Sequence, residues 1–349
     1  MRLLINTPFL KLPGGVSNHF KGLLKFWNIP VRYNCIGGRF GLPGVLVLPL
    51  DYTVFYLRCL FGGYTHVLLN PSLGKTALVR DALFLKIAKL TGKTVVIFIH
   101  GWDLEMQKVF DENPDSFLNK YASADGFFVL ANKFKIVLQQ WGVTAPIWLT
   151  TTKVDDALLK NFTLKNSSER KELNLLFLAR VETNKGIYLA LDAFKLIKSK
   201  ISFAELEVVG NGSELTAAKE YCLNNNITSV NFVGQLTGKP LINAFSNADI
   251  YVLPTSHGEG MPTSVLEAMA FGLPVVSRPV GGLVDFFEND KMGYLVESLK
   301  PQDFAEAILS IVQKQNKYNE ISHYNHTYAK QHFMASKVVK QLEGMIANV

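Results

Sequence analysis

Short apolar runs alternate along the chain with stretches whose apolar residues recur at helical spacing. Residues 3–6, 66–70, 94–99 and 126–130 read as buried strands. Between them, residues 16–26, 76–90 and 133–141 carry the helical spacing. Strands separated by helices predict a parallel sheet covered on both faces.

The pattern then restarts. Residues 150–170 are polar, with Thr150-Thr-Thr and Asn166-Ser-Ser-Glu-Arg-Lys, and read as a linker. Beyond it, strands are expected at 174–178, 204–209, 229–233, 250–253 and 274–277. Helices are expected at 186–198, 213–224, 239–246, 263–271 and 301–315, with a helical, polar tail from Tyr318 onward. Two successive units of this kind predict an α/β protein with two Rossmann-like, doubly wound domains facing a central cleft. The expected division is 1–165 and 166–329, with a last helix at about 330–349 packing back on the first domain. In such sheets ligands bind beyond the carboxyl ends of the strands.

Composition narrows the function. The chain has 349 residues, 48% apolar and 19% charged, which excludes a disordered or fibrous protein. Cys35, Cys59 and Cys222 are few and widely spaced, which speaks against a disulfide framework and points to a reducing cytoplasm. The net charge of +7 is uneven: residues 1–165 hold 19 Lys and Arg against 10 Asp and Glu, and the remainder holds 17 against 19. A basic first half fits a negatively charged neighbour, either a phosphorylated substrate or an anionic membrane surface. Scattered, solvated lysines fit equally. No nucleic-acid-binding motif accompanies the charge, so nucleic acid is not an expected partner. The greasiest region, 45–61, is interrupted by Pro49, Asp51 and Arg58 and makes poor material for a membrane span. The first residues reach Thr7-Pro8 too soon for a signal peptide.

The chemistry concentrates in His257-Gly-Glu-Gly-Met-Pro-Thr-Ser-Val-Leu-Glu-Ala, which follows an expected strand and opens an expected helix. Pro262 suits a first turn, and Thr263 and Ser264 can cap it or donate hydroxyls. A glycine-flanked helix start offers backbone N–H groups and the positive end of a dipole to phosphate oxygens. Glu259 and Glu267, eight residues apart, are poor phosphate ligands but good acceptors for sugar hydroxyls on either side of the phosphates. A glycine turn, a capped helix and two surface glutamates remain the bland alternative. Arg180 and Lys185 form a second candidate, two cations near a strand end where a diphosphate would compensate them.

In these residues the chain resembles the retaining nucleotide-sugar glycosyltransferases of family four (glycosyl transferases group 1), which have the GT-B fold. The Glu-x7-Glu pair Glu259 and Glu267 is similar to the family signature. Three further segments agree in order: Arg180 to Lys185-Gly186, Gly210-Asn211-Gly212, and Val233-Gly234 followed by Asn247-Ala-Asp249. Pro13-Gly14-Gly15-Val16 resembles the glycine loop that faces the donor phosphates. The resemblance is strong over 170–300 and weak over 1–165.

The resemblance implies a hexosyltransferase whose donor is a nucleotide diphosphate sugar and which needs no other cofactor. By it, Arg180 and Lys185 hold the pyrophosphate and stabilise the leaving group. Glu267 binds ribose hydroxyls, and Glu259, with the backbone of Gly260 and Met261, holds the transferred sugar. Pro262, Thr263, Ser264 and Val233 line the donor, and Gly15 approaches its phosphates from the first domain. Gly210 and Gly212 lack the third glycine of a dinucleotide fingerprint, since Leu215 stands there, and read as a tight turn beside the donor. His100 ends a strand of the first domain and is implied near the transferred sugar; a structural histidine is the alternative. Asp103 reads as a helix cap, His257 as structural, and His19 stays unassigned. No Asp-x-Asp motif and no His/Cys cluster suggests a metal site.

The expected reaction is front-side displacement with retention, without metal, and with domain closure excluding water. The acceptor would be a glycan or a lipid-linked glycan in cell-surface polysaccharide or lipopolysaccharide synthesis, reached from the cytoplasm or from the inner face of the membrane. The alternatives are a sugar-nucleotide epimerase of the same fold and a catalytically silent sugar-nucleotide-binding subunit.

Overall fold

A computed structural model describes residues 1–12, 14–38, 43–164 and 172–349. The chain divides into two units. The first comprises Met1–Lys153, Gly258–Met261 and Ala335–Val349; the second comprises Val154–His257 and Pro262–Met334.

In the first unit, runs of Leu, Ile, Val and Phe form the central strands. Strands β1 (Leu3–Pro8), β2 (Val31–Ile36), β3 (His66–Leu69), β4 (Thr94–Phe98), β5 (Gly126–Val129) and β6 (Ile147–Leu149) make one parallel sheet in the order β2-β1-β3-β4-β5-β6. The crossovers are α1 (Gly15–Leu23), α2 (Gly44–Phe61), α3 (Lys75–Leu90), α4 (Leu104–Glu112) with α5 (Asp115–Tyr121), and α6 (Asn132–Gln140). β4 and β5 are buried nearly throughout, as strands covered on both faces must be. An aromatic cluster fills one side, with Trp102 stacked on Phe134 at 4.1 Å and Phe55 edge-on to Phe84 at 4.9 Å.

The second unit repeats the plan with a different order. Strands β7 (Leu173–Leu178), β8 (Ala204–Val209), β9 (Val230–Gly234), β10 (Ile250–Leu253), β11 (Val275–Ser277) and β12 (Gly293–Leu295) run β12-β11-β10-β7-β8-β9, all parallel. They alternate with α7 (Ile187–Lys200), α8 (Leu215–Asn224), α9 (Lys239–Asn247) and α10 (Thr263–Ala270), and α11 (Pro301–Val312) and α12 (Gln315–His332) follow β12. Counted within the unit this is the order 3-2-1-4-5-6 of dinucleotide-binding sheets. The order reverses between β7 and β10, so the loops leaving those two strands bound the crevice where such a sheet takes a ligand. In the first unit the reversal falls between β1 and β3.

Several expectations need correction. The interrupted stretch 45–61 is one continuous helix, α2, with Pro49 inside it. Its charges do not break it because they turn inward: buried Asp51 accepts from the Gly37 amide at 3.0 Å, and Arg58 donates to Asn34. The polar stretch 150–170 holds order in part, since Asp156–Leu159 is a short 3-10 turn capped by Asp155. Pro13 and residues 165–170 of the linker lie outside the described residues. The tail is two helices, α12 and α13 (Ala335–Ala347), and the second counts with the first unit. There the Glu343 carboxylate accepts from the backbone and side-chain amides of Asn28.

Candidate functional site

Four turns at the carboxyl edge of the second sheet carry the sequence motifs. Gly186 starts α7 with φ 82°, and a Cβ there would run into the Pro254 carbonyl oxygen. Only glycine takes that conformation without strain and also allows so close an approach. Gly210, with φ 142°, and Gly212 leave no room for a Cβ against the carbonyl oxygens of Ala179 and Val181. The β8–α8 turn is thereby laid on the β7–α7 turn, and Val181 donates its amide to the Asn211 carbonyl.

Asn184 ties the β7–α7 turn to the β10–α10 loop. Its carbonyl accepts from the amides of Ser256 at 2.8 Å and His257 at 3.1 Å, and from the Thr255 hydroxyl at 3.2 Å. Its side-chain amide meets His257 Nδ1 at 3.2 Å, which gives His257 a structural contact. These are the two loops that bound the sheet's reversal point. Asn184 carries no mark of this in the sequence, although it stands inside the Arg180–Lys185 segment; nothing in the spacing marks a backbone carbonyl as a latch.

The side chains at this edge differ in character. Lys185 is only 8% exposed and closes the 3-10 turn Thr183–Lys185, one turn ahead of the helix it was expected to open. Arg180 is largely exposed and lies two residues past the end of β7, with its guanidinium on Glu182 at 2.5 Å. The expected pair of bare cations is therefore one buried ammonium and one exposed, already matched guanidinium. Glu259 and Glu267 are half-buried, while Gly260, Met261 and Pro262 are buried.

Pro262 takes the cap position of α10 and not its first turn, and no side chain caps that helix. The Ser264 hydroxyl is engaged with Tyr251 at 2.6 Å and not with the helix start; Tyr251 donates its one proton to the Leu178 carbonyl and so accepts from Ser264. The positive end of the α10 dipole is thus available for an anion. Val233 stands on β9 and is 42% exposed.

In the first unit, Gly15 opens α1, and a Cβ there would meet nothing within 4 Å, so the backbone borders open space. His100 follows β4. Its Nε2 lies 3.1 Å from Asn70 Oδ1 and its ring stacks on Phe98 at 3.7 Å. Its ring is held by a side chain while its amide donates to the Pro71 carbonyl, and Asn70 at the end of β3 is a partner the sequence does not single out. His19 lies edge-on to His100 at 5.2 Å, is 3% exposed, and neither ring nitrogen has a hydrogen-bond partner. Within the same unit, a Cβ on Gly260 would run into the His100 carbonyl oxygen, which sets the Glu259–Gly260 backbone against this strand end. Asp103 caps α4 as expected, accepting from the amides of Glu105 and Met106. Among the described residues no group of three or more His, Cys, Asp or Glu could hold a metal ion.

Burial pushes the His100 imidazole down to about 3 and holds His19 well below its usual range, so both rings are neutral at physiological pH. For a histidine depressed on folding, the unfolded chain takes up the proton first. Stability is full above the unfolded value of 6.5 and falls as pH drops below it, with the His100 share levelling off near 3. His100→Gln is expected to flatten the decline in urea midpoint between roughly pH 6.5 and pH 5. A decline of unchanged slope in that variant would show that His100 titrates normally.

Comparison with known proteins agrees with this architecture. Residues 161–328 match the family described as glycosyl transferases group 1. The amylovoran biosynthesis glycosyltransferase AmsK of Erwinia amylovora is 25% identical, over 89% of this chain and 72% of its own length. The capsular polysaccharide biosynthesis glycosyltransferase CapM of Staphylococcus aureus is 26% identical over 48% of this chain, which spans 44% of CapM. The crystal structure of Anabaena HepE in complex with UDP and glucose superposes with a TM-score of 0.76 at 18% identity, covering 100% of both chains. At that identity the likeness shows the fold, a GT-B arrangement of two parallel α/β sheets. Over residues 161–328 the chain resembles glycosyl transferases group 1, and with its named relatives it is a glycosyltransferase.

Proposed function

We propose that this glycosyltransferase moves a sugar from a nucleoside diphosphate sugar to a glycan or lipid-linked acceptor during assembly of a cell-surface polysaccharide, with retention and without a metal ion. One observation carries the donor reading. The turn bearing Lys185 and the loop bearing Glu259 flank the reversal point of the second sheet and are fastened together through Asn184. A diphosphate there would meet one buried ammonium and the amide end of α10, which together supply positive charge to a departing phosphate. Half-buried Glu267, on the second turn of α10, suits ribose hydroxyls. Glu259, in the loop before the helix, suits hydroxyls of the transferred sugar. Relatives named for amylovoran and capsular polysaccharide biosynthesis support a polysaccharide acceptor.

Retention follows if the leaving phosphate itself takes the acceptor proton while the sugar gains oxocarbenium character. In the first unit, neutral His100 suits a hydrogen-bonding role toward a sugar hydroxyl and carries no charge. Neighbours of this fold were solved with UDP and glucose, so UDP-sugars are the first donors to test.

The test joins three readouts on the full chain. Turnover of a UDP-sugar should persist in EDTA, the product should keep the donor's anomeric configuration by NMR, and Glu267→Gln should weaken UDP binding by about tenfold, the effect of losing charged hydrogen bonds to ribose. Inversion, loss of turnover with EDTA, or unchanged UDP affinity would each defeat the corresponding part. Isomerisation of the sugar nucleotide without acceptor would identify an epimerase instead.

A further inference from the structure

We propose that the outer face of α2 and α3 seats the first unit on an anionic phospholipid bilayer; this rests on the reading that the acceptor is lipid-linked. Among the described residues α2 is the one helix long and apolar enough to cross a membrane, with a mean hydropathy of 1.5. As folded it does not cross one, because Val47, Asp51, Phe55 and Cys59 form a single stripe buried against the sheet. Beside it Arg58 is half-buried on Asn34, and the outermost face carries no exposed charge: Val45 is 74% exposed and Phe61 81%, and Leu46, Leu50, Leu57 and Leu60 are exposed between them. A helix with one buried stripe and half of its eighteen residues exposed, most of them apolar, is poorly suited to water and matched to the headgroup–acyl boundary.

The neighbouring helix extends the argument. α3 packs on α2 through Tyr52, Phe55 and Phe84, and its exposed line is Lys75, Val79, Leu83, Lys86 and Leu90. The carboxylates of the two helices, Asp51 and Asp81, are 2% and 1% exposed, turned to Gly37 and Arg80. The outward charges of α3 are thus lysines set among apolar side chains. That pattern complements anionic lipid headgroups. A second copy of the chain would instead bring like charges together on an otherwise apolar face.

The orientation is useful. As the crossover from β2 to β3, α2 runs against the strands, so Val45 and Leu46 lie at the edge of the sheet that carries Gly15 and His100. A bilayer on this face would present lipid-borne substrates beside the strand ends where the sheet takes its ligands.

The experiment is co-sedimentation of the full chain with vesicles of phosphatidylcholine, alone or mixed with phosphatidylglycerol. Binding should require phosphatidylglycerol and fall with salt. Leu50→Asp/Leu57→Asp should reduce it at least about tenfold by removing two inserted side chains. Lys75→Gln/Lys86→Gln should reduce it about fivefold per lysine. UDP affinity should stay at the parental level in all variants, which also shows that they fold. No binding of the parent chain to phosphatidylglycerol vesicles, undiminished binding of the leucine variant, or a solution dimer that Leu50→Asp dissociates would each overturn the proposal. Vesicle binding by a chain that fails to bind UDP would leave the docking face standing and remove the donor-site reading instead.

Discussion

Gly186→Ala is expected to lower stability by about 3 kcal/mol and to impair UDP binding, whereas Gly92→Ala should cost about 1 kcal/mol and leave binding alone. Both glycines sit in the left-handed region, Gly186 at φ 82° and Gly92 at φ 69°. Alanine at either position meets the same backbone strain. The surroundings differ. A Cβ on Gly92 meets nothing within 4 Å, but one on Gly186 collides with the Pro254 carbonyl oxygen. Backbone cannot yield as a flexible side chain does, so the collision must push the β7–α7 turn away from the β10–α10 loop. That motion would pull Asn184 from Ser256 and His257, and the two halves of the proposed donor site would separate. Chemical denaturation of the two variants measures the difference, and UDP titration measures its consequence. Equal stability losses would mean that the turn relaxes freely and that its contact with Pro254 positions nothing.

The contrast between these glycines also shows what sequence can carry. The strands buried on both faces, such as β4, β5 and β10, stand out as nearly unbroken apolar runs because little on them needs to be wet. β2 does not stand out because it is the sheet's edge, where Val31-Arg-Tyr-Asn-Cys-Ile mixes exposed and buried positions. β6 and β12 have three residues each, too few to show a period. α2 is hidden for the opposite reason. A helix apolar on every side has no polar stripe to reveal its turn, and its two charges satisfy partners distant in sequence, Gly37 and Asn34.

The site motifs are legible because turns laid this closely on neighbouring backbone demand glycine at fixed places. What could not be read was the state of each charge. Nothing in Arg180-Val-Glu182 says that the arginine folds onto its own neighbour, or that Lys185 five residues on is buried. Nor does the sequence reveal that His19 and His100 share one apolar corner with Phe98, since α1 and β4 are far apart in the chain.

Lys185→Met is expected to weaken UDP binding between about tenfold and a hundredfold, the range for losing hydrogen bonds to a charged group. The catalytic efficiency with a UDP-sugar should fall further, because charge on the departing phosphate grows toward the transition state. Methionine keeps most of the apolar stem that packs in the turn, so the fold should survive and the loss should report the ammonium itself. Arg180→Gln should do less. Its guanidinium is 60% exposed and already matched by Glu182, so solvent and that carboxylate screen much of its pull on a diphosphate. Glu182→Gln then becomes informative: releasing Arg180 should tighten UDP binding slightly if the arginine swings to the phosphates. Isothermal titration of UDP into the three variants orders them as Lys185→Met weakest, Arg180→Gln intermediate and Glu182→Gln at or above the parent. Parental affinity in Lys185→Met would place the diphosphate elsewhere, and a larger loss in Arg180→Gln would reverse the roles of the two cations.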